Sequence, residues 1–235
     1  MKIAAAQIAV SLDVLENSAK IIEYIAKAKK ADVICFPELS LQCDESNVKP
    51  IGKEITKIAA AARKYNMNVI FGAYVKEVSK IKNRIFVMDR TGKIIHRYNK
   101  RNPYATERSF LTSGKMNKVF LIDNIPCATI NCWDYAFPEY LRTLAKSGAV
   151  VFFCPAYLMS FPLTHNVLRK IPQVRAFDTM SYFIMVDAFT TETYGRSRIC
   201  HPLRQLAFVK DKEKIIYADV SLSEILELRA KFNNF

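Results

Sequence analysis

A chain of 235 residues, 51% of them hydrophobic, is long enough for one sizeable core and too apolar to be mostly disordered. The net charge of +13 favours anionic partners by long-range attraction, but its lysines are spread out and no Arg-rich arm or Lys/aromatic alternation forms a nucleic-acid surface. No apolar run reaches the roughly 20 residues of a membrane span, MKIAAAQIAV is too short for a signal peptide, and no Gly/Ser/Pro-rich linker divides the chain, so one soluble, cytoplasmic domain over residues 1–235 is expected.

KIAAAQIAV, residues 2–10, reads as a first strand. Residues 13–30 place Leu15, Ala19, Ile22 and Ala26 near helical period and end in lysines that suit a helix C-terminus. DVICF is a short buried strand. Ile51, Ile55, Ile58, Ala59 and Ala62 mark a second helix, followed by the strand NVIFGAYV at 68–75. RIFVMD, an RTG turn and KIIHRY read as a β-hairpin. KVFLID and PCATIN follow as strands, then PEYLRTLAKSG as a helix with Pro at its start and Gly at its end. AVVFFCPA is a buried strand. A helix is expected over 164–180, kinked or interrupted by Pro172. YFIMVDA, RSRICH, RQLAFV and KIIYADV return to strand. SLSEILELRA closes the chain as a helix, with Ser221 as N-cap and Glu224 as its capping-box partner. Runs such as VICF and VVFF are apolar at every position, as strands buried on both faces are, and their alternation with helices gives an α/β class with helix-covered sheets.

The six cysteines, Cys35, Cys43, Cys127, Cys132, Cys154 and Cys200, form no C-x-x-C pair and have no histidine at zinc-finger spacing. Structural zinc and disulfides are therefore not expected in a cytosolic chain. Most of these thiols read as small buried hydrophobes. Cys132 is different, because it ends a strand-like run. Glu38 ends DVICF in the same way, and Lys100 follows KIIHRY by two residues. Strand ends are where side chains distant in sequence converge in layered α/β proteins.

Such a trio has a specific chemistry. A thiol of pKa ~8.5 is mostly protonated at neutral pH, yet the thiolate is the nucleophile. A lysine lowers that pKa, and a carboxylate can take the proton. Attack on an amide carbonyl builds negative charge on oxygen, which an ammonium and a backbone N–H, such as that of Trp133, can stabilise. The carboxylate then returns the proton to the leaving amine, and water hydrolyses the thioester. A Cys–His dyad would have to draw on His96, His165 or His201, each of which reads more simply as structural.

These segments together resemble the nitrilase superfamily of carbon–nitrogen hydrolases over nearly the whole chain. The opening strand with Gln7, ICFPELSL around Glu38, YNK at 98–100, INCWDYAFPE around Cys132, VRAFDTMSYFIMV and GRSRICHPLRQLAF occur in the family's order. The resemblance implies a four-layer α-β-β-α sandwich that assembles as a homodimer or higher homo-oligomer. It implies Glu38 as general base and acid, Lys100 as stabiliser of the tetrahedral intermediate and Cys132 as nucleophile. ERSFLTSG matches a second glutamate setting, so Glu107 is implied to orient Lys100 or the substrate. Asp134 reads as a brace of the turn. Glu139, in the second Phe-Pro-Glu, starts a helix, where a carboxylate complements the dipole, and is a candidate pocket residue. The chain departs from the family pattern at Arg101-Asn102-Pro103, His165-Asn166 and Asp178-Thr179, and its tail stops at Phe235.

The expectation is a thiol amidohydrolase for a small linear amide or N-carbamoyl compound, with no metal or organic cofactor, no nucleic acid and no membrane partner. Amidase is expected over true nitrilase. Arg101, Arg175 and Arg196 are candidate partners for a substrate carboxylate. The alternative is a binding or scaffold protein on the same fold with its catalysis lost.

Overall fold

The computed structural model describes residues 1–159, 167, 170–193 and 195–232. Twelve strands form two six-stranded sheets among these residues. The first has the order β12(Lys214–Asp219)-β1(Lys2–Gln7)-β2(Val33–Cys35)-β3(Asn68–Glu77)-β4(Lys80–Met88)-β5(Ile94–Asn99). The second has the order β11(Arg204–Phe208)-β10(Arg198–His201)-β9(Tyr182–Asp187)-β8(Val151–Ala156)-β7(Ile125–Thr129)-β6(Phe120–Ile122). In each sheet the central strands run parallel, β1-β2-β3 in one and β7-β8-β9 in the other.

The period of two explains the layering. Ile3 and Ala5 of β1, Val33 and Cys35 of β2, Ile70 of β3 and Ile85 and Val87 of β4 point into one core with the second sheet. The intervening Ala4, Ala6, Ile34, Val69, Phe71 and Phe86 point the other way, against α1(Val14–Lys27) and α2(Gly52–Tyr65). The second sheet is likewise covered by α3(Pro138–Lys146) and α4(Ile171–Asp178), through Leu141, Leu144 and Ala176. The result is the expected α-β-β-α sandwich. Strands buried on both faces are why the sequence runs read as continuously apolar.

The differences from the sequence reading have physical causes. β3 and β4 form a long hairpin joined at Val78-Ser79, where the polar stretch KEVSKIKN hides the pairing. Val78 sits at φ +57, an uncommon place for a β-branched residue, and is 97% exposed. Pro172 does not kink a longer helix over its described part. It occupies the first turn of α4, where its missing N–H has no helical acceptor to lose. The rest of the expected 164–180 helix, at residues 164–166 and 168–169, and with it His165 and Asn166, lies outside the described residues, as does the terminal Phe235.

The capping box at α5(Leu222–Phe232) is only half made. Ser221 Oγ accepts the Glu224 N–H at 3.4 Å, but the Glu224 carboxylate turns to the Tyr182 hydroxyl, and that same hydroxyl takes the Ser221 N–H at 3.2 Å. A tertiary partner has displaced the local one, and it fastens α5 to β9.

Candidate active site

Three strand ends meet between the sheets. Glu38 follows β2 on a loop that lies directly on β3. Leu39 adopts φ +58, and the Leu41 N–H donates to Gly72 O at 2.9 Å. A Cβ on Gly72 would come within 2.7 Å of the Leu39 nitrogen and 3.2 Å of Glu38 Cα, so only glycine lets the Glu38 loop approach the strand. Lys100 leaves β5 with its N–H bonded to Asn83 O at 2.8 Å. Cys132 starts a 3₁₀ turn, Cys132–Ala136, after β7 and sits at φ +45, a strained backbone for a non-glycine residue. Side chains separated by dozens of residues are thus brought into one buried cluster, with Glu38, Lys100 and Cys132 only 2%, 3% and 6% exposed.

The ammonium of Lys100 lies between two carboxylates, 2.8 Å from Glu38 Oε1 and 2.7 Å from Glu107 Oε2. Glu107 is held in turn by the Tyr104 N–H, which donates to its Oε2 at 2.7 Å. Asn83 Nδ2 donates to Glu38 Oε1 at 2.7 Å and reaches Glu107 Oε1 at 3.4 Å. Asn131 Nδ2 donates to Asn83 Oδ1 at 2.8 Å, which ties this network to the residue before the thiol. The Tyr157 carbonyl oxygen lies 4.0 Å from Cys132 Sγ.

Two carboxylates share one ammonium, so the cluster carries one surplus negative charge with the thiol neutral. Burial pushes the Cys132 thiol well above its usual range, and the Glu38 charge adds to this against the pull of Lys100. Burial also raises Glu38, with Lys100 opposing and Glu107 reinforcing. Burial alone would depress Lys100, but Glu38, Cys132 and Glu107 outweigh it and hold the ammonium protonated.

Asp134 is the brace expected of it. Its Oδ2 accepts the Tyr98 hydroxyl at 2.7 Å and the Asn131 N–H at 3.2 Å, and its Oδ1 accepts both the Asn102 N–H and Nδ2 at 2.9 Å. Trp133 is partly buried, edge-on to Tyr104 with ring centroids 4.9 Å apart. Glu139 is not gathered into the cluster. It is exposed in the first turn of α3 and shares no ion pair or hydrogen bond with the trio, so the helix-terminus reading holds and the pocket reading does not.

The two described histidines are engaged elsewhere. His96 stacks on Phe120 and pairs with Asn117 at 2.7 Å, and His201 lies 3.3 Å from Glu224, beside Tyr182. Arg175 is also spent, donating to Tyr135 O at 2.7 Å and pairing with Asp178 at 2.6 Å.

Three buried groups near the site were not singled out from sequence. Asn83 shares a strand face with Ile85 and Val87, and that parity was its only signal. The Tyr135 hydroxyl is buried with no hydrogen-bond partner among the described residues, and the nearby Cys132 helps raise its pKa after burial itself. Asp187, fully buried at the end of β9, accepts the Leu158 N–H at 3.0 Å and the Arg196 N–H at 3.1 Å. It thereby clamps the turn whose Tyr157 carbonyl faces the thiol to the segment before β10.

Burial pushes the Asp187 carboxyl up to about 7, the Glu38 charge adds to this, and the Leu158 and Arg196 N–H bonds oppose it. A carboxyl whose folded pKa lies above its ordinary value contributes stability that is complete below the ordinary value. That contribution is lost as pH rises through the folded pKa. Asp187→Asn cannot ionise, so its stability relative to the wild type is expected to improve between pH 4.5 and 7.5, by on the order of 3 kcal/mol. Paired urea titrations across that range check this, and a constant difference would show Asp187 ionised throughout.

Among known proteins, a family profile described as carbon-nitrogen hydrolase matches residues 2–230. The chain belongs to the carbon–nitrogen hydrolase family. This is the nitrilase superfamily that the sequence motifs resemble. A 2-oxoglutaramate amidase of Bacillus subtilis is 28% identical over 229 residues, covering 91% of this chain and 88% of that one. A deaminated glutathione amidase of Escherichia coli O157:H7 is 25% identical over 248 residues, covering 98% and 94%. A carbon-nitrogen hydrolase from Helicobacter pylori superposes with a TM-score of 0.90 at 20% identity, over 99% of this chain and 93% of that one, and shares the fold. Amidases are thus among its relatives over nearly its full length, and the chain is a carbon–nitrogen hydrolase by family. Among the described residues, no helix is long and apolar enough to cross a membrane.

Proposed function

We propose that this enzyme hydrolyses a small linear amide or N-carbamoyl compound through a thioester on Cys132, releasing ammonia. The observation that carries the reading is the Lys100 ammonium bridging Glu38 and Glu107 in the buried cluster that holds the thiol. A free thiolate there would bring the surplus charge to two in a buried site, so ionisation accompanies attack rather than preceding it.

The Cys132 proton passes to Glu38 as sulfur bonds to the carbonyl carbon, and the carbonyl electron pair moves onto oxygen. Lys100, and the Trp133 N–H next to the nucleophile, stabilise that oxyanion. The C–N bond then breaks and Glu38 returns its proton to nitrogen, so ammonia departs. Water attacks the thioester, Glu38 takes a proton from it, and the C–S bond breaks as Cys132 is reprotonated. Glu107 never transfers a proton. It holds Lys100 in place through its own anchor on the Tyr104 N–H.

The names of two relatives, a 2-oxoglutaramate amidase and a deaminated glutathione amidase, support an amide over a nitrile. The test is ammonia release from a panel of short aliphatic amides, ω-amides of dicarboxylic acids and N-carbamoyl amino acids, with nitriles alongside. Turnover of one of the three amide classes, faster than that of the matching nitrile, is expected. Silence across all three would sink the reading.

A further inference from the structure

Residues 101–114 leave β5 and come back to it. The Gly114 N–H donates to Lys100 O at 2.8 Å, and a Cβ on Gly114 would lie 2.0 Å from Asn99 O, so glycine is required to close this neck. The loop supplies Glu107 to the catalytic ammonium. Together with Phe137, which ends the turn begun by Cys132, it also lines an open cleft of about 340 Å³. That is within the size range of small-molecule sites.

The cleft has two guanidiniums, Arg101 and Arg108, and apolar walls at Leu111 and Phe137. Asn102 is turned toward Asp134, to which its backbone N–H and its Nδ2 each donate a bond. The arginines are positioned but not neutralised. Arg108 Nε donates to Pro103 O at 3.3 Å, and the Arg101 guanidinium stacks 5.0 Å from the Tyr140 ring centroid, a cation–π contact that leaves its charge intact. The guanidiniums of Arg84, Arg90, Arg175 and Arg204 each have a carboxylate, whereas surface arginines such as Arg63, Arg97 and Arg142 have none among the described residues. Neither Arg101 nor Arg108 has one among the described residues, and the two differ from those surface arginines in lining a concave site. Two guanidiniums without carboxylate partners and apolar side chains in one cleft match a carboxylate on a short carbon chain, because a guanidinium binds that group through two parallel N–H bonds.

We propose that this cleft binds the carboxylate of a small organic acid. The acid is either the far end of an amide substrate, a form that rests on the amidase reading above, or a free molecule acting as an effector. Arg101, the residue after Lys100, and Phe137, which caps the turn begun by Cys132, tie the cleft to the elements that carry the ammonium and the thiol.

Calorimetric titration with glutarate, and with the neutral glutaramide as control, tests the site itself. The wild type is expected to bind glutarate at least ten-fold more tightly than glutaramide. Arg101→Gln/Arg108→Gln is expected to weaken glutarate binding at least ten-fold, and the paired lysine variant to fall between. Arg108→Gln alone, at an exposed position, serves where the double variant folds poorly. Equal glutarate affinity in wild type and variant, or no binding in the wild type at millimolar concentration, overturns the proposal. Kinetics then separates the two sources. A substrate-borne carboxylate predicts that the kcat/KM ratio of glutaramate to valeramide falls at least ten-fold in the double variant. A free ligand predicts an unchanged ratio, with added glutarate altering the valeramide rate in wild type only. Should neither amide turn over, the amidase reading is in difficulty, while calorimetry still decides the cleft.

Discussion

Cys132→Ala is expected to lower amide turnover by on the order of 10⁴-fold or more, with a cooperative unfolding transition retained. The reasoning starts from the backbone. Cys132 holds φ +45 because Asp134 gathers the Asn131 and Asn102 N–H groups and the Tyr98 hydroxyl around the turn, and none of these bonds uses the thiol. Alanine carries the same backbone restriction, so the turn persists and only the nucleophile is lost. The other cysteines cannot substitute for it. Cys35 is raised by burial alone, and burial is the largest cause for Cys154, Cys127 and Cys200 too. Cys43 is pushed up to about 11, by burial and then by Asp44 and Glu45. Cys132 is the thiol with a carboxylate, Glu38, in hydrogen-bond reach to take its proton as sulfur attacks. Mild iodoacetamide treatment should therefore add one fast label per chain, found on the peptide containing Cys132 and missing from the alanine variant. Undiminished ammonia release by Cys132→Ala would end the thioester mechanism outright.

The parts of this site that could be read from the sequence are the parts that local pattern determines. Glu38, Lys100 and Cys132 each stand where an apolar strand stops, so each announces itself as a polar group at a strand end. Their meeting is a property of the sandwich, which the motif order of a known family supplied and periodicity alone could not. Glu107 lies in a short 3₁₀ segment with no hydrophobic pattern, and only the resemblance pointed to it. Asn83 and Asp187 escaped notice because their roles are satisfied by partners 24 to 48 residues away for Asn83 and by two separate loops for Asp187. The same cause undid the capping box at Ser221, where Glu224 found the Tyr182 hydroxyl. Helix ends and strand faces are local. Competition for a polar side chain is settled across the fold, and that is where sequence reasoning falls short.

Glu38→Gln and Lys100→Met should both abolish useful turnover while moving the thiol in opposite directions. Glutamine keeps the shape of Glu38 but cannot accept the Cys132 proton, so a loss of about 10²–10⁴-fold is expected from the missing acid–base step. The glutamate's charge is also one of the causes that hold the thiol above its ordinary range, and Lys100 is the opposing one. Glu38→Gln leaves the thiol facing the ammonium without the carboxylate charge that raises it, and its apparent pKa should fall. Lys100→Met removes the opposing cation, and that pKa should rise further. Thiolate absorbance followed against pH is therefore expected to order the proteins as Glu38→Gln, wild type, Lys100→Met, from lowest to highest. The stability cost should be uneven as well. Lys100→Met strands Glu38 and Glu107 as neighbouring carboxylates in a buried site, a change of about 3–5 kcal/mol in the usual range for a broken buried pair. Glu38→Gln instead removes the surplus negative charge and still offers Lys100 an amide oxygen, so its cost should be smaller. A thiol pKa that shifts the same way in both variants would mean that Cys132 does not feel this pair, and the Glu38–Lys100–Cys132 assignment would fall with it.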